Sequence, residues 1–250
     1  MALADRETNV KSRDTAIGTT KRESRLPLIS LVLGILAFTG MMISIWAIFL
    51  YAPTDAVQGD AQRIFYIHVP MAWLAMLAFG VLAVASIVYL WKKDERWDWV
   101  ARATAELGAV FTTLALITGS LWGRPIWGTW WTWDARLTTT LILWFLYIGY
   151  LMLRSYMGRT TAGARAAAVL GIVGFIDVPI IHMSVVWWRT LHPAAIVLNG
   201  SSPALPPEML LTLIISLITF TLLYSFLMVQ LYQLEKMQTL AQRLRATIEL

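Results

Sequence analysis

The sequence predicts an all-α integral membrane protein with six transmembrane helices and both termini in the cytoplasm. Three observations predict it. The chain is 58% hydrophobic and only 14% charged, with a mean hydropathy of +0.64, far from the composition of a soluble domain. Six stretches are long and apolar enough to cross about 30 Å of hydrocarbon, which takes about 20 helical residues. The basic residues fall almost entirely on one side of the alternating topology these stretches define.

Residues 1–27 are polar, of mixed charge and without apolar periodicity, and are expected to form a disordered cytoplasmic tail. They do not resemble a cleavable signal peptide, because the apolar run that follows has full span length. Residues 28–233 form the six-span membrane domain, with spans near 28–51, 64–91, 105–122, 137–157, 164–187 and 209–232. The third is the shortest, with Glu106 at its inner edge. Residues 234–250 continue the last span as a cytoplasmic amphipathic helix: Leu234, Met237, Leu240 or Ala241, Leu244 and Ile248 recur at helical spacing between Lys236, Gln238, Arg243 and Arg245. Such a helix lies on the lipid surface, docks to a partner or frays into solvent.

With six spans, both tails share a side with the connections near 92–104 and 154–165. That side holds 16 of the 20 Lys and Arg residues, and the other holds only Arg63, Arg124, Arg136 and Arg189. The net charge of +5 is therefore membrane topology and gives no reason to expect nucleic acid as a partner. Cysteine is absent, which removes disulfides, thiolate metal sites and covalent attachment of a prosthetic group through the chain's own thiols. There is no P-loop, Gly-x-Ser-x-Gly elbow, zinc-protease signature or dinucleotide fingerprint, so an ATP-driven step has to come from a partner.

The chemistry is expected in the three outward loops. The second, residues 123–136, contains Trp127-Gly128-Thr129-Trp130-Trp131-Thr132-Trp133-Asp134-Ala135-Arg136-Leu137-Thr138 where it enters the fourth span. Four of the chain's 13 Trp gather here, bracketed by Asp134 and Arg136, with Arg124 just before them. An interfacial aromatic belt spreads Trp and Tyr over many helix ends. This cluster instead suits a broad aromatic shelf for a large planar ligand with a polar rim. The three histidines all lie toward the outer face. His68 precedes Pro70 in the second span, His182 is in the fifth span, and His192 precedes Pro193 in the third loop. A lone interfacial histidine is ordinarily a satisfied polar group, yet imidazole also suits iron, and His68 and His192, one on each face of a planar iron macrocycle, give it two axial ligands. His182 reads as structural. Asp177, inside the fifth span and close to Pro179, is a candidate by its position alone, or it satisfies backbone groups freed by the proline.

The tryptophan segment, the preceding Ile117-Thr118-Gly119-Ser120-Leu121-Trp122-Gly123-Arg124-Pro125, the run Tyr66-Ile67-His68-Val69-Pro70 and the run Trp187-Trp188-Arg189-Thr190-Leu191-His192 together resemble the CcmC family, the haem exporter protein C of system I cytochrome c maturation. The tryptophan motif alone marks a wider haem-handling superfamily, and its combination with the two histidine runs at this length is more specific. The resemblance covers residues 28 to 235, leaving the N-terminal tail and the C-terminal helix outside it. It implies a bacterial inner-membrane protein that holds haem b, non-covalently and transiently, on the periplasmic side, and presents it to the haem chaperone CcmE. His68 and His192 would be the axial ligands, and Trp127, Trp130, Trp131 and Trp133, with Asp134 and Arg136, the shelf. Arg124, Arg136, Arg63 or Arg189 suit the propionates. It also implies an ABC-type assembly with CcmA, CcmB and CcmD, and a binding and transfer component without its own nucleotide site in place of an enzyme. The alternative within the same superfamily is a haem lyase or cytochrome c synthetase; those relatives are longer and carry an added pair of membrane histidines, where this chain has only His182 left over.

Overall fold

The computed structural model describes residues 26–188, 190–192 and 205–248. The expected tail up to residue 25, Arg189 and residues 193–204 of the third outer loop lie outside them. Among the described residues the chain is built from helices, six of which are long and apolar enough to span a membrane. Helix α1 is Leu26–Trp46, closed by a π-helical turn at Ala47–Tyr51; α2 is Phe65–Lys92, entered through a 3-10 turn at Asp60–Ile64; α3 is Glu95–Trp127; α4 is Ala135–Met157; α5 is Thr161–Gly174; α6 is Asp177–Trp187; α7 is Pro207–Ile248. Helices α5 and α6 together make the fifth span.

Helix α2 is the centre of the bundle, packed on α3, α5 and α7, while α1 lies against α7 at the edge. Along that edge Gln230 donates to the Ser30 hydroxyl at 2.9 Å and the hydroxyls of Ser44 and Ser216 meet at 2.8 Å, so α1 and α7 run antiparallel. The core joins Leu74, Phe79 and Leu82 of α2 to Phe111, Leu143, Tyr147 and Tyr224. The buried hydroxyls of Thr104, Tyr147 and Tyr224 find partners inside the bundle, as hydrocarbon requires. Tyr147 donates to the Ala75 carbonyl at 2.8 Å, and the hydroxyls of Thr104 and Tyr224 lie 2.6 Å apart. Gly108 is needed at the first of these, because a Cβ there would overlap the Tyr147 ring.

Two spans differ from their sequence expectation. Helix α3, expected to be the shortest, begins at Glu95 and runs 33 residues. The charges that lower its hydropathy are folded into the protein. Asp98 accepts from Arg154 at 2.7 Å, and Arg102 lies 3.1 Å from Glu235. Glu235 also takes Arg159 at 2.7 Å, and Arg243 pairs with Glu95, so α7 is tied to the connections at this end of the bundle. Residues 234–248, expected to continue the last span, are the uninterrupted end of α7. The fifth span, in turn, is broken. Pro179 has no N–H to offer the Phe175 carbonyl and its ring crowds it, and the chain passes from α5 to α6 through shorter i to i−3 bonds at Phe175, Ile176 and Val178. Asp177 opens α6 and is buried, with Oδ2 lacking a hydrogen-bond partner; that oxygen does not satisfy the backbone freed by the proline.

Candidate ligand-binding site

The ends of the bundle are unlike. Glu95, Asp98, Arg102, Arg154, Arg159 and Glu235 occupy one. The other is formed by the starts of α2, α4 and α7 and the ends of α3 and α6, where a cavity of about 870 Å³ opens. This lies within the range of about 300–1,000 Å³ that encloses one small-molecule or cofactor ligand.

His68, in the first turn of α2, lines the cavity. Its Nδ1 is 3.1 Å from the Thr118 hydroxyl, and its ring lies 5.8 Å from that of Trp122. Trp122 in turn donates to the Gln58 side chain at 3.0 Å, which brings the first outer loop over α3. His192 lines the same cavity from the third loop, with its ring 6.5 Å from that of Trp127, and its backbone N–H reaches the Thr190 hydroxyl at 3.1 Å. The two histidines singled out from the sequence therefore share one cavity, although 124 positions of chain separate them. His182 also faces it, which the sequence reading did not anticipate.

The tryptophan segment is more helical than expected. Trp127 is the last residue of α3, Gly128 closes that helix at φ 76°, and Arg136 is already in α4. Pro125 lies in the last turn of α3. The four tryptophans divide into two pairs. Trp127 and Trp131 line the cavity. Trp130 and Trp133 stand outside its lining and are 56% and 76% exposed, with Trp133 meeting Trp131 edge-on at 5.6 Å.

The charged residues also separate. Asp134 accepts from the Leu137 N–H at 3.0 Å and from the Thr132 hydroxyl at 3.0 Å, so its carboxylate caps α4. Arg136 lines the cavity; its Nη2 donates to the His182 carbonyl at 3.0 Å and its Nε to the Ser184 hydroxyl at 3.3 Å. Arg124 donates to the Gly128 carbonyl and stands 6.0 Å over the Trp130 ring. Arg63 bonds the Ile48 and Ala52 carbonyls, the Thr54 hydroxyl and Asp60, so it fastens the first outer loop to the end of α1.

Among the described residues no group of three or more His, Cys, Asp or Glu could hold a metal ion. Two imidazoles on an apolar, aromatic cavity instead suit a metal that brings its other ligands with it.

A sequence model of the heme exporter protein C family matches residues 19–248. The chain belongs to this family. The match takes in the end of α7, beyond the resemblance read from the motifs. Among curated relatives, the Bradyrhizobium diazoefficiens heme exporter protein C is 49% identical over 173 residues, 69% of this chain and 66% of that protein. The Haemophilus influenzae protein of the same name is 42% identical over 199 residues, 80% of each chain, and that of Escherichia coli K12 is 48% identical over 149 residues, 59% of this chain and 60% of that one. The aligned stretch is thus a little under two thirds of the first and third relatives' own length.

Proposed function

We propose that this chain holds haem b, non-covalently and transiently, at the periplasmic face of a bacterial inner membrane and hands it to the chaperone CcmE for c-type cytochrome maturation, as a binding and transfer component of an ABC-type assembly with CcmA, CcmB and CcmD. The observation that carries this reading is the sharing of one cavity by His68, His192, Trp127, Trp131 and Arg136. The name shared by the relatives, heme exporter protein C, points the same way. The 16-to-4 division of basic residues supports an outward-facing cavity and cytoplasmic termini.

In this reading His68 and His192 supply the two axial nitrogens, which leaves the iron no open position for oxygen. Trp127 and Trp131 cover the apolar macrocycle, each adding about 0.5–1.5 kcal/mol beyond its buried area. Trp130 and Trp133, exposed beside them, extend the shelf toward the approaching chaperone, with Asp134 and Arg124 holding that segment in shape. Arg136 commits Nε and Nη2 to α6 and keeps Nη1 for a propionate. The test is the absorption spectrum of the detergent-purified chain: a Soret band with low-spin, bis-imidazole features is expected, and its absence from protein purified out of haem-replete cells overturns the reading. Incubation with apocytochrome alone separates a carrier, which forms no covalent product, from a lyase.

A further inference from the structure

We propose that Thr118 and Gly119 position His68, fixing its proton on Nδ1 and so leaving Nε2 as the nitrogen that carries the ligating lone pair. The inference rests on the reading of His68 as an axial ligand and adds two residues to it.

A threonine hydroxyl has one hydrogen. That of Thr118 is committed along its own helix, with Oγ1 2.7 Å from the Leu114 carbonyl and 3.3 Å from that of Ala115. Only its lone pairs are left for a second neighbour, and that neighbour is His68 Nδ1 at 3.1 Å. Two acceptors do not bond, so the hydrogen between them belongs to Nδ1. A neutral imidazole protonated there has its lone pair on Nε2. The next residue supplies the seat. A Cβ on Gly119 would stand 3.0 Å from His68 Cε1, so that the ring would have to give by a few tenths of an ångström. Trp122, one turn further along α3, backs the same ring. Thr118 does not line the cavity; whatever it does to a ligand passes through His68.

Partners of a metal-bound imidazole tune both its orientation and its basicity, and removing one weakens metal binding about tenfold to a hundredfold. The full chain is purified with haem as wild type, Thr118→Val, Thr118→Ser, Gly119→Ala and His68→Ala, and haem affinity and the low-spin electron paramagnetic resonance signature are measured. Thr118→Val and Gly119→Ala should bind haem about tenfold or more weakly with an altered signature, while Thr118→Ser should match wild type. Wild-type affinity and signature in Thr118→Val, with the bis-imidazole signature lost in His68→Ala, overturns the role of Thr118 and leaves the ligand reading standing. A wild-type signature in His68→Ala overturns the ligand reading itself. A variant that does not fold is bypassed by the His68→Ala chain, in which Thr118 is intact. Imidazole, which keeps an N–H for the hydroxyl, should restore the signature at about a tenth of the concentration needed for 1-methylimidazole, which has none. Equal concentrations overturn the proposal.

Discussion

Arg136 Nη2 donates to the His182 carbonyl at 3.0 Å, across 46 positions of chain, and so joins the first turn of α4 to α6 beside the cavity. The bond to the Ser184 hydroxyl from Nε, at 3.3 Å, makes this a two-point hold. A lysine has no planar fork with which to reproduce it. The third outer loop, with His192, leaves from the end of α6, so the hold on α6 is also a hold on where that loop begins.

Arg136→Ala should therefore loosen α6 as well as remove a cation from the cavity. Loss of the two bonds is expected to lower stability by about 1–3 kcal/mol, read as an earlier thermal melt in detergent, and to shorten haem retention on gel filtration. Arg136→Lys should keep part of the haem retention and little of the melt. An Arg136→Ala chain that melts with wild type confines the residue to ligand binding.

His68→Ala and His192→Ala should each move the Soret band and impair loading of CcmE, and added imidazole should restore the vacated position. His182→Ala should leave the axial signature in place, although its side chain faces the cavity. If both His68→Ala and His192→Ala keep the wild-type Soret position and intensity, the shared-cavity ligation is wrong.

The tryptophan pairs should separate in function. Trp127→Ala and Trp131→Ala remove rings that line the cavity, and haem occupancy should fall. Trp130→Ala and Trp133→Ala remove exposed rings, so occupancy should hold while the rate of transfer to CcmE drops. None of the four should prevent insertion, because the adjoining spans keep their length and apolarity. Equal loss of occupancy in all four would mean that the exposed pair closes over the ligand.

Much of this was legible in the sequence because membrane spans are written in composition. The six apolar runs gave six spans in order, the fifth of them broken into α5 and α6, and the scarcity of histidine drew attention to His68 and His192. The misjudged boundary of α3 has a physical cause: hydropathy counts Asp98 and Arg102 as exposed charges, whereas Arg154 and Glu235, distant in sequence, neutralise them inside the bundle. Asp134 and Arg136 illustrate the same limit. They stand two residues apart, yet the carboxylate caps its own helix and the guanidinium crosses to α6. Thr118 stood within a motif but gave no sign of this role, since a mid-helix threonine bonding its own backbone is ordinary; only the approach of α2 makes it a partner of His68.

The pair Arg154–Asp98 offers a stability test away from the cavity. Arg154 is 2% exposed at the side chain and Asp98 14%. Removing one partner of a buried pair leaves the other charge uncompensated, which costs about 3–5 kcal/mol. Arg154→Met should reduce the amount of folded protein in the membrane sharply. The double variant with Asp98→Asn should recover a good part of it, because no lone charge remains. A single variant that accumulates and melts like wild type would show that Asp98 is compensated without Arg154, by water or by the neighbouring Arg102.

The assignment of an outward cavity depends on topology, and the lack of cysteine makes topology easy to test. A single introduced thiol is then the only target for a membrane-impermeant reagent. Val57, 93% exposed in the first outer loop, and Thr129, in the turn between α3 and α4, sit at the cavity end. Lys92 and Thr160 sit at the opposite end, where α2 finishes and α5 begins. The basic residues concentrate at that second end, so it should face the cytoplasm. Val57→Cys and Thr129→Cys should label in intact spheroplasts, and Lys92→Cys and Thr160→Cys only after permeabilisation. Labelling of Lys92→Cys from outside, with Val57→Cys protected, would turn the cavity toward the cytoplasm. Delivery to a periplasmic chaperone would then be impossible from this site, whatever the histidines bind.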